Sequence, residues 1–133
     1  MVEMLVRNGA DVTLRTGSGL SMMHLAARGN SVKCLTYFKA QGLNINQVDE
    51  RQSTPLHHAC ANGSENAVSF LLGWGANVHA QDQDGNTPLH LATIHNLSFT
   101  KLLSIKELLI HGASRDKLNA DKLRPIDCEL VTG

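Results

Sequence analysis

The sequence predicts an all-α solenoid, built from helix-turn-helix units joined by projecting hairpin turns. Three observations predict it. Thr54-Pro55-Leu56-His57 returns as Thr87-Pro88-Leu89-His90, and its eroded form, Ser21-Met22-Met23-His24, precedes it at the same interval. Each of these starts places a Ser or Thr N-cap before a short apolar helix. A glycine then closes each unit, at Gly42, Gly75 and Gly112, where a helix end favours positive φ. A fixed period long enough for a helix pair is the mark of stacked repeats, because one such unit cannot bury its apolar face alone.

Residues 1–15 read as a partial unit. Val2, Leu5 and Val6 fit one helical face, and Gly9-Ala10-Asp11-Val12 parallels Gly75-Ala76-Asn77-Val78, so the chain is expected to be a fragment of something longer. In unit 16–48, Ser21 caps a helix that Arg28-Gly29-Asn30 breaks, and Val32, Leu35 and Phe38 line the next one. Unit 49–81 is the cleanest. Thr54 caps, Pro55 takes the first helical position where its missing N–H is harmless, and Asn62-Gly63 ends the short helix. Ala67, Val68, Leu71 and Leu72 then form an amphipathic stripe. The polar run His79 to Asn86 has nothing to bury and reads as a projecting turn.

Unit 82–118 starts equally well at Thr87-Pro88. Its second helix aligns only if four residues are inserted between His95 and Ser104, and Asn96–Lys101 is the expected loop. Residues 119–133 keep a trace of the pattern in Arg124-Pro125-Ile126-Asp127 and read as a degenerate or truncated cap. All 133 residues fit one repeat domain.

Composition narrows the function classes. Formal net charge is zero and charged residues make up 18%, which gives no basic footprint for nucleic acid or an acidic membrane surface. No run approaches the ~18 apolar residues of a membrane span. Cys34, Cys60 and Cys128 have no metal-type or redox-type spacing. Reduced thiols in the cytoplasm are the expectation.

Ser53-Thr54-Pro55-Leu56-His57-His58-Ala59, Gly85-Asn86-Thr87-Pro88-Leu89-His90-x-Ala92, Val68-x-x-Leu71-Leu72-x-x-Gly75-Ala76 and Ile105-x-x-Leu108-Leu109-x-x-Gly112-Ala113 carry a family pattern. On them the chain resembles the ankyrin repeat family, which implies a protein-interaction module, not an enzyme. The runs Ala67–Ala92 and Tyr37–Asn46 are also similar to the ankyrin domain of protozoan Asp-His-His-Cys palmitoyltransferases. That likeness implies a substrate-recruiting or regulatory part of a membrane S-palmitoyltransferase, whose catalytic domain is absent from these residues. His57-His58-Ala59-Cys60 is not the catalytic motif, since it falls inside a helix begun by Pro55 and Leu56.

His24, His57 and His90 share one repeat position. One histidine per unit suits a structural role, pinning each unit to the turn of the next, and no metal or cofactor is expected. Cys60 aligns with Ala27 and Thr93, and Cys34 with Ala67, so both read as small packed side chains. Binding residues for a partner protein are sought at the turn tips and along the concave face of the short helices. The candidates are Gln47, Asp49 and Arg51 at one tip, Gln81, Asp82 and Asp84 at the next, and His58, Asn62 and His95 on the helices. Trp74 stands where other units carry Asn8, Gln41 and His111. It reads as a partner hot spot, a contact with an absent domain or a cover for the fourth unit. The chain is expected to be monomeric or part of a larger polypeptide.

Overall fold

The computed structural model describes residues 16–93 and 99–125. Within them lie six helices: α1 Met22–Arg28, α2 Val32–Ala40, α3 Pro55–Asn62, α4 Glu65–Gly73, α5 Pro88–Thr93 and α6 Phe99–Ile110. The short helices start where the sequence supplies a cap. Ser21 and Thr54 accept the N–H of His24 and His57, and those histidines accept the N–H of Ser21 and Thr54 in return. Thr87 and His90 repeat the exchange. Each capping box satisfies two donors that the first helical turn leaves without partners.

Helices α1, α3 and α5 pack side by side in an inner layer, and α2, α4 and α6 in an outer one. Between the layers lie Met23, Leu35, Phe38, Leu56, Val68, Leu71, Leu89 and Leu108, all buried. Ala26, Ala27, Ala59 and Ala92 are buried too. Their small side chains fit where adjacent inner helices lie close, and a longer one would overpack. The outer helices end on Gly42, Gly75 and Gly112, at φ near 90°. In that conformation the following amide folds back, as in Ala76 N–H to Leu71 O at 3.0 Å.

Neighbouring units also lend each other caps. Ser64 precedes α4 without capping it by its side chain. Asn30 of the preceding unit, itself at φ 55°, accepts the Ala67 N–H instead. The Ser64 hydroxyl and the Asn62 amide both donate to the Arg28 carbonyl at the end of α1. Orphaned groups of one helix pair are thus satisfied by the next, so helix formation and stacking are coupled.

The expected loop at Asn96–Lys101 is corrected in part. Phe99, Thr100 and Lys101 belong to α6, which has 12 residues against nine in α4. Lys101, Ser104 and Leu108 are buried, extending the packed stripe by one turn at spacings of three and four. No Gly or Pro interrupts this run, so part of the insertion lengthens a helix. Residues 1–15, 94–98 and 126–133, with the partial first unit, His95 and the end of the cap, lie outside the described residues.

The hairpin tips repeat as faithfully as the helices. Thr16, Asp49, Asp82 and Asn119 each donate a backbone N–H to the carbonyl four residues on. Three residues into each tip stands a positive φ, held by Gly19, Gln52, Gly85 and Lys122. At Gly85 an added Cβ would meet Ala120 N at 2.7 Å, so space as well as conformation calls for glycine. Gln52 takes the same conformation at φ 64°. A side chain there costs roughly 1–2 kcal/mol, part of which glycine's greater unfolded-state freedom offsets. Gln52→Gly is therefore expected to stabilise the protein by about 0.5–1 kcal/mol, and Gly85→Ala to destabilise it, in denaturant melts. An unchanged or lowered midpoint for Gln52→Gly would contradict this account of the tip.

Candidate concave groove and its histidines

The three repeat histidines are wholly buried, and both ring nitrogens of each are engaged. Nδ1 accepts its own cap's N–H, from Ser21 at 3.1 Å, Thr54 at 3.0 Å and Thr87 at 3.1 Å. Nε2 therefore carries the proton and donates to a carbonyl of the next hairpin. The acceptors are Ser53, Asn86 and Leu123, each at 2.8 Å. Those carbonyls also close the tips by accepting from Asp49, Asp82 and Asn119. A second ladder runs along the tips, with Glu50 N–H to Ser18 O, Gln83 N–H to Arg51 O and Ala120 N–H to Asp84 O.

The side chains that open each tip hold it from inside. Oδ1 of Asp49 accepts the N–H of Arg51 and Ser53, Oδ1 of Asp82 those of Asp84 and Asn86, and Oδ1 of Asn119 those of Asp121 and Leu123. Asp49 has an additional partner. Its Oδ2 accepts from Nε2 of His58 at 2.9 Å, joining tip to helix. Asp49 is 7% exposed. Burial works to raise its carboxyl pKa, but the hydrogen bonds from His58, Ser53 and Arg51 outweigh it, so the group lies below its ordinary range.

Asp49, His58 and His24 bring three possible metal-ligand atoms within 4.8 Å of one another, and the rings of His24 and His58 meet edge to face at 5.2 Å. This cluster does not make a metal site. The Nδ1 lone pair of His24 is taken by the Ser21 N–H and its Nε2 carries a proton. Two ligands remain for a cation, short of a protein-built transition-metal set.

Two open clefts lie between the tips and the inner helices, with Asp49, Arg51, His58 and Ala61 common to both. The larger, about 520 Å³, extends to Ser18, Leu20, Arg28, Glu50 and Asn62. The smaller, about 240 Å³, extends to Asp82, Asp84, Asn86 and Leu91. His58 stands where the neighbouring helices carry Leu25 and Leu91, giving an otherwise apolar row a hydrogen-bonding group.

The groove gathers six of the candidate residues: Asp49, Arg51, His58, Asn62, Asp82 and Asp84. Three are also committed to the fold, Asn62 through the Arg28 carbonyl and Asp49 and Asp82 each through its own turn. Gln81 donates to the carbonyls of Gly85 and Leu118. Gln47 is half-buried, its Oε1 without a hydrogen-bond partner among the described residues. Trp74 is elsewhere, at the end of α4. Its ring meets Phe70 edge to face at 5.7 Å, and the Lys39 ammonium sits 5.3 Å from its centroid. Lys39 belongs to α2, so this contact points back to the preceding unit, not forward over the fourth. The sequence reading omitted Arg28, Glu50 and Ala61. Arg28 and Ala61 lie one repeat period apart on successive inner helices, a spacing that marks them as one row.

Cys60 is fully buried, and desolvation drives its thiol far above the ordinary range. A thiol held protonated is a poor nucleophile. The paired helices, the laddered tips and the open groove define a repeat-protein interaction module. Residues 1–82 match the family described as ankyrin repeats (3 copies), and residues 84–120 match that described as ankyrin repeat. No curated protein matches the chain. The chain belongs to the ankyrin repeat family, whose modules are non-catalytic and mediate protein–protein interaction. Among the described residues no helix is long and apolar enough to cross a membrane.

Burial pushes the His57 imidazole below the ordinary histidine range, while the Asn86 carbonyl and the Asp82 carboxylate pull weakly upward. A neutral histidine in the fold leaves the unfolded chain to take up the proton first as pH falls below about 6.5. Stability is fully present above that pH and declines from there until the folded-state pKa is passed. Asp49 acts in the same direction at lower pH, its contribution being lost as pH falls through its depressed folded value. Lower denaturation midpoints at pH 5.5 than at pH 7.5 are expected, with the His57 ring titrating below the free-histidine midpoint by NMR. A His57 midpoint at or above about 6.5 would refute the assignment.

Proposed function

We propose that the groove between the tips at 16–20, 49–53 and 82–86 and the inner helices binds an extended segment of a partner protein. One observation carries the reading: two clefts share Asp49, Arg51, His58 and Ala61 and so run on from one unit into the next. His58 is the central contact, oriented by Asp49, with Arg51 and Asp84 as tip contacts. The unit boundaries 16–48, 49–81 and 82–118 are part of this proposal, as is a cytoplasmic setting.

Ala61 tests the groove because it is exposed and lines both clefts, and arginine is a good helix former. Ala61→Arg should fill the groove without unfolding the chain. Ser69→Arg, on exposed α4 surface, is the control. In cross-linked pull-downs from cytosol, partners held by the parent chain and by Ser69→Arg should fall by about tenfold with Ala61→Arg. Equal recovery by the two variants would place binding elsewhere.

A second reading rests on the similarity of Ala67–Ala92 and Tyr37–Asn46 to the ankyrin domain of protozoan Asp-His-His-Cys palmitoyltransferases. In that reading the same groove recruits or regulates protein substrates for a membrane S-palmitoyltransferase. An Asp-His-His-Cys motif between hydrophobic spans is expected downstream in the same open reading frame. A frame read to its end without them eliminates this alternative.

A further inference from the structure

The groove's charges follow an order that the net charge of zero conceals. Along the inner helices the row begins with Arg28 and continues with Ala61, and along the tips Ser18, Arg51 and Asp84 follow one another at intervals of one repeat. The larger cleft thus lies between Arg28 and Arg51, with Glu50 on its rim. Beyond Arg51 the smaller cleft is edged by Asp82 and Asp84.

Several of these charges have no internal partner. Among the described residues, the side chains of Arg28, Arg51, Glu50 and Asp84 make no hydrogen bond or ion pair, and Asp82 uses only Oδ1, in its own turn. Asp49, by contrast, is occupied on both oxygens, by two amides and His58. What remains for a ligand is two guanidinium groups against one carboxylate in the larger cleft. Beyond it stand two carboxylates with no new cation. The polarity runs across the stack, from positive towards its N-terminal side to negative towards its C-terminal side.

Resting on the groove reading above, we propose that the partner segment carries an acidic residue for the Arg28–Arg51 cleft and a basic residue for the Asp82–Asp84 edge. This charge order fixes the direction in which it lies. The two ends have opposite functions in selection. A uniformly acidic segment gains at Arg28 and Arg51 but meets like charge at Asp82 and Asp84, and a uniformly basic one meets the reverse. Like-charge juxtaposition rejects wrong partners more strongly than complementary charge raises affinity. A polyphosphate backbone fails for the same reason as an acidic peptide. Between the two charged anchors the segment crosses His58, whose ring is held edge-on by Asp49 and His24, and meets Leu91 beyond it.

The test avoids Asp82, because its carboxylate builds the turn. Arg51 and Asp84 are exposed, and the pair Arg51→Asp with Asp84→Arg exchanges their signs at constant net charge. A random-peptide phage library is selected on the parent chain, and enriched peptides are measured by fluorescence anisotropy against the parent, the charge-exchanged variant and Ala61→Arg. Enriched peptides with one acidic and one basic residue in a single consistent order, weakened about tenfold by the exchange, are the expected result. Peptides without a charge order that are still lost with Ala61→Arg overturn the charge inference and leave the groove reading standing. Peptides that bind Ala61→Arg as well as the parent, or no enrichment at all, overturn both.

Discussion

A single buried imidazole per unit couples everything else in this structure. His24, His57 and His90 each complete the N-terminal cap of their own helix with one nitrogen and hold the closing carbonyl of the following hairpin with the other. A buried carbonyl or amide left without a partner costs about 1–3 kcal/mol, more than a satisfied bond contributes. Removing one ring would therefore orphan groups in two units at once. The short inner helices, of six to eight residues, are too brief to persist alone. They exist because the cap and the neighbour share a donor and an acceptor in one side chain.

That coupling explains why the groove is available for binding. The ladder of histidine, tip and backbone bonds holds the hairpins against the inner helices without drawing on most of the charged side chains at the tips. Arg51 and Asp84 contribute only backbone groups to the fold, so they can vary with the partner. Asp49 departs from this division. It builds its turn and also orients His58, so the contact group in the middle of the groove is held in place by hydrogen bonds. Preformed contact groups reduce the ordering cost of association.

The outer layer follows a different logic. Phe70 is exposed on α4 and packs edge to face on Trp74, which in turn carries the Lys39 ammonium. The aromatic pair lies within α4, its cation contact reaches back to α2 of the preceding unit, and part of the tryptophan packs on the core.

The repeat, the all-α class and the starts of the short helices were legible in the sequence. They depend on local chemistry: Ser21, Thr54 and Thr87 as caps, Pro55 and Pro88 as first residues, and glycines at the ends of the outer helices. The start of α6 was less legible, because an insertion without Gly or Pro can extend a helix or form a loop with equal local ease, and burial of Lys101 and Ser104 decided between them. The groove depended on the stack still more. Asp49 and His58 are both visible as polar residues of one unit, yet only folding brings carboxylate to ring and leaves His24 without a free lone pair. Arg28 and Asp84 belong to different units and have no local relation. The sequence by itself determined the unit and its period, because those rest on neighbours along the chain. The tertiary structure decided the groove and the order of its charges, because those rest on neighbours across units.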